Sequence, residues 1–319
     1  MSSRPRSRPP AGGPTPAPSD VELRPPDARQ GPGSIPGGLL EALAAPFARR
    51  ASRQLAGDLR SPGVGLGTEL ARLRAYEAGD DVRHLDAAAS ARTGQPHVRL
   101  HIPERALTTW ILLDLSPSMA FGTGQRLKAD VAEGVALVLG RLGIRRAGGL
   151  GLIAFGAGRE RVLPLHASRP ALAALGRQLS EGVAVDGAHG PRALHDALNR
   201  FRVNAKRPGL LAIISDFRGQ EDWAGPLRVL AARHVSIAVE IYDPRERELP
   251  DMGQFAVVDP ETGERIVVDT SSSRVRERFA EIERRRREDV ATSLRAARTQ
   301  HMELSTDEDW LRALGRGLE

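Results

Sequence analysis

Four short apolar runs in the middle of the chain constrain its fold more than any other feature. They are residues 110–113, Leu150–Phe155, Leu210–Ser215 and Val235–Tyr242. Longer segments separate them, and in the first of these the apolar residues recur at spacings of three and four, as on one face of a helix. Nearly continuous apolar strands are typical of a parallel sheet that crossover helices cover on both faces. The sequence therefore predicts a doubly wound, mostly parallel α/β sheet with helices on both faces.

Less regular segments follow these strands. The run 161–165 contains Pro164, which assigns it to a sheet edge if it is a strand. After Tyr242 we predict a hairpin of residues 255–258 and 266–268, and then a helix over about 275–298 whose apolar stripe is interrupted by Arg286. We further predict a strand at 302–304 and a last helix at 307–314, capped by Thr306.

The N-terminal part has a different composition. Ten of the 23 prolines fall within the first 36 residues, which predicts a disordered arm because such a segment buries little apolar surface. A helix is predicted from Gly38 to about residue 55, followed by a glycine-rich turn at 61–65 and a charge-rich segment at 69–105. This gives four parts: the arm 1–36, a helix and charged segment 37–105, a core 106–245, and a C-terminal hairpin with helices, 246–319, that completes the domain.

Composition narrows the possible functions. No apolar stretch is long enough for a membrane helix, and the N-terminus lacks the apolar run of a signal peptide, so we expect a cytoplasmic protein without a membrane segment. The absence of cysteine restricts any metal site to oxygen or imidazole ligands. The formal charge is +6, but the arginine run 284–287 is flanked by acidic residues and only 4% of residues are aromatic. These features indicate a solvated helix face and do not favour nucleic-acid binding.

Polar residues follow two of the predicted strands. Asp114, Ser116 and Ser118 alternate directly after the first strand, so their oxygens point to the same side of an extended loop. Asp216 follows the strand Leu210–Ser215, whose end we expect to be a neighbour at the carboxyl edge of the sheet. Carboxylate and hydroxyl oxygens suit Mg²⁺. The alternative is a polar turn that caps the following helix.

Two motifs carry a family resemblance. The Asp-x-Ser-x-Ser pattern, with a Ser-Asp pair ending a later strand, resembles the metal ion-dependent adhesion site of von Willebrand factor A domains. The stretch 74–86, with Ser-Ala-Arg at 90–92, resembles the hallmark that precedes such a domain in the bacterial DUF58 family. The resemblance covers residues 63–216 with firm motifs. It implies that Asp114, Ser116, Ser118 and Asp216 hold the metal.

The chain departs from the family pattern at two positions. Ala87 stands where the family usually has tryptophan, and Arg192 stands where an adhesion site usually has a threonine ligand. A guanidinium at that place would repel a cation and would instead pair with Asp114 or Asp216, giving a metal-free site. Alternatively, water completes the coordination, since Mg²⁺ commonly keeps several waters.

The charged residues of the upstream motif form a second candidate set. We predict a structural ion-pair network that fixes this segment against the sheet, with a partner-binding role as the alternative. The set comprises Arg74, Tyr76, Asp80, Asp81, Arg83, Asp86 and Arg92.

The resemblance implies a function in binding. It suggests a non-enzymatic protein-binding module, because an adhesion site captures an acidic side chain of a partner protein. Genes of this family commonly lie beside MoxR-type AAA+ ATPases, and one branch is similar to a soluble component of methanol-oxidation operons. The alternatives are a metal-dependent hydrolase and a basic nucleic-acid binder. The hydrolase is disfavoured because neither strand-end loop, 115–123 or 216–220, contains a histidine or glutamate to act as general base.

Overall fold

A six-stranded sheet forms the centre of the molecule. A computed structural model describes residues 31–44, 46–47, 69–78, 80–102, 108–124, 126–144, 148–157, 161–166, 169–180, 182–183, 192–219, 221–259 and 263–318. The strands of the central sheet are β3 (Thr109–Asp114), β4 (Leu150–Phe155), β5 (Arg161–His166), β6 (Leu210–Ser215), β7 (Val235–Tyr242) and β10 (Gln300–Ser305). Their order is β10-β7-β6-β3-β4-β5, and all neighbours are parallel except β4 and β5. The predicted mostly parallel sheet is confirmed.

Helices cover both faces of this sheet. They are α1 (37–44 and 46–47), α3 (Lys128–Ile144), α4 (Arg169–Ser180), α5 (Ala193–Asn204), α6 (Ala224–Ala231), α7 (Ser273–Ala296) and α8 (Trp310–Leu318). Alternate residues of β3 belong to two separate apolar clusters: Ile111 and Leu113 pack with α1, α3, α4 and α8, whereas Trp110 and Leu112 pack with α5, α6 and α7. The strands β3, β4, β6 and β7 are buried on both sides, which explains why they are almost entirely apolar, whereas the edge strands β5 and β10 are partly exposed.

The strand β5 forms an edge of the sheet, as predicted from its proline. It runs antiparallel to β4, and the register slips between Leu150 and Leu152, where the partner residues jump from His166 to Leu163. Pro164 lies within this irregular stretch. A residue without an N–H group is tolerated there because an edge strand needs no second partner.

The segment before α1 packs onto the core. Trp310 donates a hydrogen bond from Nε1 to the carbonyl of Pro32, 3.2 Å away, and Ile35 packs against the same apolar cluster as Leu43 and Phe47. The arm predicted for residues 1–36 is thus too long, because residues 32–35 contact the folded domain. Residues 1–30, the end of the predicted helix to residue 55 and the turn at 61–65 lie outside the described residues.

The charge-rich segment 69–105 contains three elements that the sequence did not predict. They are β1 (Glu69–Ala75), α2 (Ala87–Thr93) and β2 (His97–Ile102). The two strands form an antiparallel pair, and an isolated bridge joins Leu85 to Val98. Gly94, in the left-handed conformation at φ 71°, ends α2 and turns the chain into β2.

The C-terminal elements are present as predicted, but the last helix runs over Trp310–Leu318 instead of 307–314 and its predicted cap is wrong. The hairpin consists of β8 (Gln254–Val258) and β9 (Arg265–Asp269), and β10 joins the central sheet beside β7. In α7, Val290 and Leu294 are buried while Ile282 is half exposed, as the interrupted stripe predicts. Thr306 does not cap α8, which begins only at Trp310. Its hydroxyl donates instead to Asp243, which lies on another loop.

His234, just before β7, provides a test of this packing. Its ring lies 4.8 Å from that of Phe201, and its Nδ1 has no hydrogen-bond partner among the described residues. Burial, together with the charge of Arg233, lowers the pKa of His234 to about 4. The unfolded chain therefore takes up a proton near pH 6.5, whereas the folded protein does so only near pH 4.

We predict that His234 destabilises the folded protein progressively as the pH falls from about 6.5 to 4. The size of this loss is at most about 3 kcal/mol. Denaturant unfolding at a series of pH values should show that His234→Gln removes this acid-side loss. His166→Gln, at an exposed histidine of β5, should leave the pH dependence unchanged. Parallel pH profiles for wild type and His234→Gln would refute the assignment.

Candidate functional site

The candidate site lies at the carboxyl edge of the parallel strands, where the loops after β3, β4 and β6 meet. Because β3 and β6 are neighbours, Asp114 and Ser215 lie beside each other at the strand ends. The Ser215 hydroxyl donates to Asp114 Oδ2 at 2.5 Å. Asp114, Ser116, Ser118 and Asp216 are all at most 5% exposed. The expectation that these two strand ends are neighbours is therefore confirmed.

The loop after β3 is folded around its own polar groups. The N–H of Ser116 donates to Asp114 Oδ1 at 2.9 Å, and the hydroxyl oxygens of Ser116 and Ser118 are 3.1 Å apart. A single 3₁₀ turn, Pro117–Ala120, continues the chain. The helix α3 begins only at Lys128, and Asp130 accepts the hydrogen bond from Leu127 N–H at its start. The alternative that the serines cap this helix is wrong.

The two aspartates of the site have opposite electrostatic environments. Burial and the nearby charge of Asp216 raise the pKa of Asp114, although hydrogen bonds from Ser116 and Ser215 partly offset this. Burial also disfavours the charged form of Asp216, but the charges of Lys128 and Arg218 outweigh it and lower the pKa of that carboxyl. The Ser118 hydroxyl also hydrogen-bonds to Asp216. The negative charge of Asp216 is thus balanced by neighbouring cations, whereas Asp114 has no comparable positive charge beside it.

Lys128 supplies the positive charge next to Asp216. Its Nζ lies 2.7 Å from Asp216 Oδ2 and 2.6 Å from Glu246 Oε1, and its side chain is fully buried. The sequence interpretation overlooked this residue, although one signal was available. The chain has 46 basic residues, and Lys128 and Lys206 are its two lysines. Lys206 is exposed, so what sets Lys128 apart is that a rare residue type in this chain is fully buried.

A series of buried ion pairs extends from this lysine across the sheet. Glu246 also contacts Arg218 Nε at 3.1 Å, and Arg218 binds Glu283 on α7 through both terminal nitrogens. Arg286 then joins Glu283 to Glu240, a fully buried residue of β7.

The last residues of this series, His301 and Glu303, belong to β10. His301 contacts Glu240 at 2.9 Å, and Glu303 lies close enough to both for the three to resemble metal ligands. Arg286 and Arg247 already pair with the two carboxylates. Arg286 pairs with the fully buried Glu240. Arg284 and Arg285 pair instead with glutamates on the surface of α7, and this solvated helix face is what the sequence predicts for the arginine run.

The loop after β6 carries backbone strain next to the site. Phe217 adopts a positive φ of 52°, which is unfavourable for a bulky residue. Its N–H donates to Ser215 Oγ at 3.0 Å, and its ring packs edge-on against Trp223 with centroids 5.4 Å apart. These contacts hold the strained conformation and fix the direction of Asp216.

A third buried carboxylate, that of Asp243, joins three loops at the same edge. Asp243, directly after β7, accepts hydrogen bonds from the backbone and the hydroxyl of Thr123, at 2.7 and 2.6 Å. It also accepts from the Thr306 hydroxyl at 2.7 Å. The loops that follow β3, β7 and β10 are therefore joined at one residue.

Arg192 does not have the role that the sequence suggested. Its Nε donates to Asp222 Oδ2 at 2.6 Å, its side chain is 56% exposed, and its terminal nitrogen lies beside His195. The prediction that it pairs with Asp114 or Asp216 is wrong, because Asp222 accepts the guanidinium. The buried cation next to Asp216 is Lys128, which is 88 residues away in the sequence.

The charged residues of the upstream motif organise their own segment. Arg74 binds Asp80 at 2.7 Å and Arg83 binds Asp81 at 2.7 Å. Asp86 caps α2 by accepting from Ala89 N–H. The predicted ion pairs are therefore present, but these pairs join residues within the segment instead of fixing it to the central sheet.

Two further residues of this motif have simple surroundings. The backbone N–H of Tyr76 donates to Pro96 at 2.8 Å, which closes the β1–β2 pair, and its side chain is half-buried. Arg92 is exposed on α2. The structure brings neither residue into the site formed by Asp114 and Asp216.

The residues after β3 fit a small divalent cation. Neighbouring ligands of octahedral Mg²⁺ lie about 2.9 Å apart, given metal–oxygen distances of about 2.0–2.1 Å. The Ser116 and Ser118 hydroxyls, at 3.1 Å, match that spacing. The raised pKa of Asp114, which comes first from burial and then from the charge of Asp216, also fits, because a bound cation would favour the ionised carboxylate.

Gly156, directly after β4, supports the loop that carries these serines. It has a φ of 83°, and a Cβ added there would lie 2.8 Å from Ser116 N and 2.9 Å from Asp114 Oδ1. We predict that Gly156→Ala lowers the free energy of unfolding by about 1–3 kcal/mol, through strain and displacement of the loop.

Denaturant unfolding tests this, with Gly176→Ala in α4 as the matched control. A Cβ at Gly176 meets no atom within 4 Å, so that variant should be slightly more stable than wild type. Equal stabilities for the two variants would show that Gly156 does not support the site.

Comparisons with known proteins agree with these observations. The model of the family described as protein of unknown function DUF58 matches residues 72–289. Uncharacterized proteins of Mycobacterium bovis and Mycobacterium tuberculosis are each 38% identical over 266 residues, which covers 81% of this chain and 82% of theirs.

Solved structures show more distant likenesses. The conserved hypothetical protein BatB from Bacteroides thetaiotaomicron is 16% identical, with a TM-score of 0.42 over 66% of this chain and 97% of that one. The SpRpn10 VWA domain is 14% identical, with a TM-score of 0.35 over 65% of this chain and 93% of its own. The family match and the curated relatives show that this chain belongs to the DUF58 family.

Proposed function

We propose that the carboxyl edge of the sheet binds a partner protein and that the chain catalyses no reaction. The observation that carries this proposal is the set of buried oxygens of Asp114, Ser116 and Ser118, organised at the strand ends. Such a set suits the capture of one charged group better than chemical turnover, because its acidic neighbours are already engaged in ion pairs.

The surroundings of these oxygens suit contact with another protein. Thr123 and Gly124 in the loop after β3, Gly219 in the loop after β6 and Arg192 at the start of α5 are exposed. We call these four residues the rim. The rim mixes small, polar and charged groups, and buried polar groups beside exposed ones are a common arrangement for recognition.

A divalent cation would complete this face. Ser116, Ser118 and Asp114 are the residues that would hold it, and Mg²⁺ is the candidate because all the ligands are hard oxygens. When bound, the ion would supply a positive charge able to accept an acidic side chain of the partner. Asp216 would contribute its negative charge without binding the ion directly, since its carboxylate already contacts Lys128.

The partner that we propose is a MoxR-type AAA+ ATPase, which the chain would help to assemble or activate other proteins in the cytoplasm. This choice rests on membership of the DUF58 family, whose genes commonly adjoin such ATPases. Among the described residues, no helix has the length and apolarity needed to cross a membrane.

Hydrolysis is less well supported, because the acid–base groups nearest the site have partners. Glu246 lies between Lys128 and Arg218. His195 on the rim side contacts the backbone of Asp222 at 3.1 Å and lies beside the Arg192 guanidinium. A general base needs a free lone pair directed at a substrate, and neither group offers one.

Nucleic-acid binding is also less well supported. The densest basic run lies on α7, where Arg284 pairs with Glu281 and Glu288, and Arg285 pairs with Glu281. Arginines engaged in this way offer little net positive charge to phosphates.

We predict that Asp114→Ala abolishes capture of the MoxR-type ATPase encoded in the same genome, because the substitution removes the carboxylate around which the loop is built. The test is a pull-down of the purified ATPase by the immobilised full-length chain, with Mg²⁺ and again with chelator. Asp309→Ala, at an exposed aspartate before α8, is the matched control and should bind like wild type. Undiminished capture by a folded Asp114→Ala protein would contradict the proposal.

A further inference from the structure

We propose that Lys128 balances the charge of Asp216 from within the protein. It thereby determines how strongly the site binds a divalent cation and which carboxylate binds that cation. This inference rests on the cation-binding part of the proposed function. It goes further because it assigns the selectivity of the site to a residue outside the adhesion motif.

The first step of the argument is geometric. The ammonium of Lys128 contacts one oxygen of Asp216 at 2.7 Å, and the other oxygen accepts the N–H of Arg218 at 3.1 Å. The Ser118 hydroxyl hydrogen-bonds to the same carboxylate. Asp216 therefore accepts from three donors of the protein, out of about four acceptor positions on a carboxylate, and has little capacity left for a metal.

The second step concerns charge. Lys128 is completely buried, and its ammonium sits between Asp216 and Glu246. A divalent ion held by the two serines would lie next to Asp216, because the Ser118 hydroxyl is 3.1 Å from that of Ser116 and hydrogen-bonds to the carboxylate that Lys128 contacts. Like charges repel strongly where water is excluded. Lys128 therefore weakens cation binding directly, and it also removes one carboxylate from the available ligands.

The third step is the residue type. An ammonium is a compact charge with three donors, whereas a guanidinium is a flat fork that is suited to two parallel bonds with one carboxylate. Lys128 has to reach carboxylates on two different loops, after β6 and after β7. Lys128 and Lys206 are the two lysines among 46 basic residues. The two contacts suit an ammonium, and Arg192, whose guanidinium binds Asp222, does not provide this charge.

The test compares variants of the full-length chain in a titration with MgCl₂ at constant ionic strength, following the melting temperature. The key variant is Lys128→Met with Glu246→Gln, which removes one charge of each sign and takes the ammonium away from Asp216. Its matched control is Glu246→Gln alone. We expect the Mg²⁺ concentration that gives half of the full rise in melting temperature to be at least about tenfold lower for the double variant, since affinity follows the number of available carboxylates.

Two additions make the test specific. Adding Asp216→Asn to the double variant should restore the weak Mg²⁺ response of the control, because the freed carboxylate is then lost. Arg192→Thr should match wild type to within about twofold, since Asp222 already engages that guanidinium. A tenfold gain in Mg²⁺ affinity for Arg192→Thr would show that Arg192, and not Lys128, limits cation binding, and it would overturn the proposal.

A separate measurement covers the case in which the double variant does not fold. In the otherwise wild-type chain, Asp114→Asn should abolish the response to Mg²⁺, whereas Asp216→Asn should preserve it. Equal loss in both variants would overturn the proposal, as would equal midpoints for the double variant and its control. The absence of any Mg²⁺ response in every protein would also overturn it. That result would leave partner binding to be decided by the Asp114→Ala capture experiment.

Discussion

The ammonium of Lys128 lies between the carboxylates of Asp216 and Glu246 in a part of the molecule that is closed to water. Removing one member of such a buried pair typically costs about 3–5 kcal/mol, because the remaining charge is left without a partner. The loops after β6 and β7 therefore depend on the first turn of α3 for their positions. Ion pairs that involve Arg218, Glu283, Arg286 and Glu240 extend these contacts to α7, so the polar edge of the sheet is joined to that helix by a continuous series of charges.

The fold was largely predictable because its central strands are covered on both faces. Burial on two sides makes a strand apolar at every position, and that pattern is visible without knowledge of any partner segment. The segment 69–105 was not predictable in this way. Its strands contain charged residues such as Arg74, whose partner Asp80 becomes evident only when the chain is folded. Thr306 was misinterpreted for the same reason, since its hydroxyl binds Asp243, a residue 63 positions away.

The candidate site was likewise predictable where its residues are close in the sequence and not where they are far apart. Asp114, Ser116 and Ser118 lie within five residues, and the strand before them indicates where their loop must be. The cation beside Asp216 depends on a contact across 88 residues, so sequence reasoning assigned the positive charge to Arg192 on the basis of a family pattern alone. Gly156 was overlooked because a close approach between two loops leaves no periodic signal in the sequence. The count of lysines was the one clue available, and it becomes meaningful only beside the burial of Lys128.

The position of β10 has a consequence for where this domain ends. The stretch that identifies the family stops at residue 289, within α7, yet β10 pairs with β7 along its whole length and α8 covers α3 through Trp310. A chain cut at the family boundary would expose the backbone of β7 as an open sheet edge and would leave Asp243 without the Thr306 hydroxyl. The stretch that is recognisable by sequence is thus shorter than the folded unit, which takes its last strand and last helix from the residues after 289.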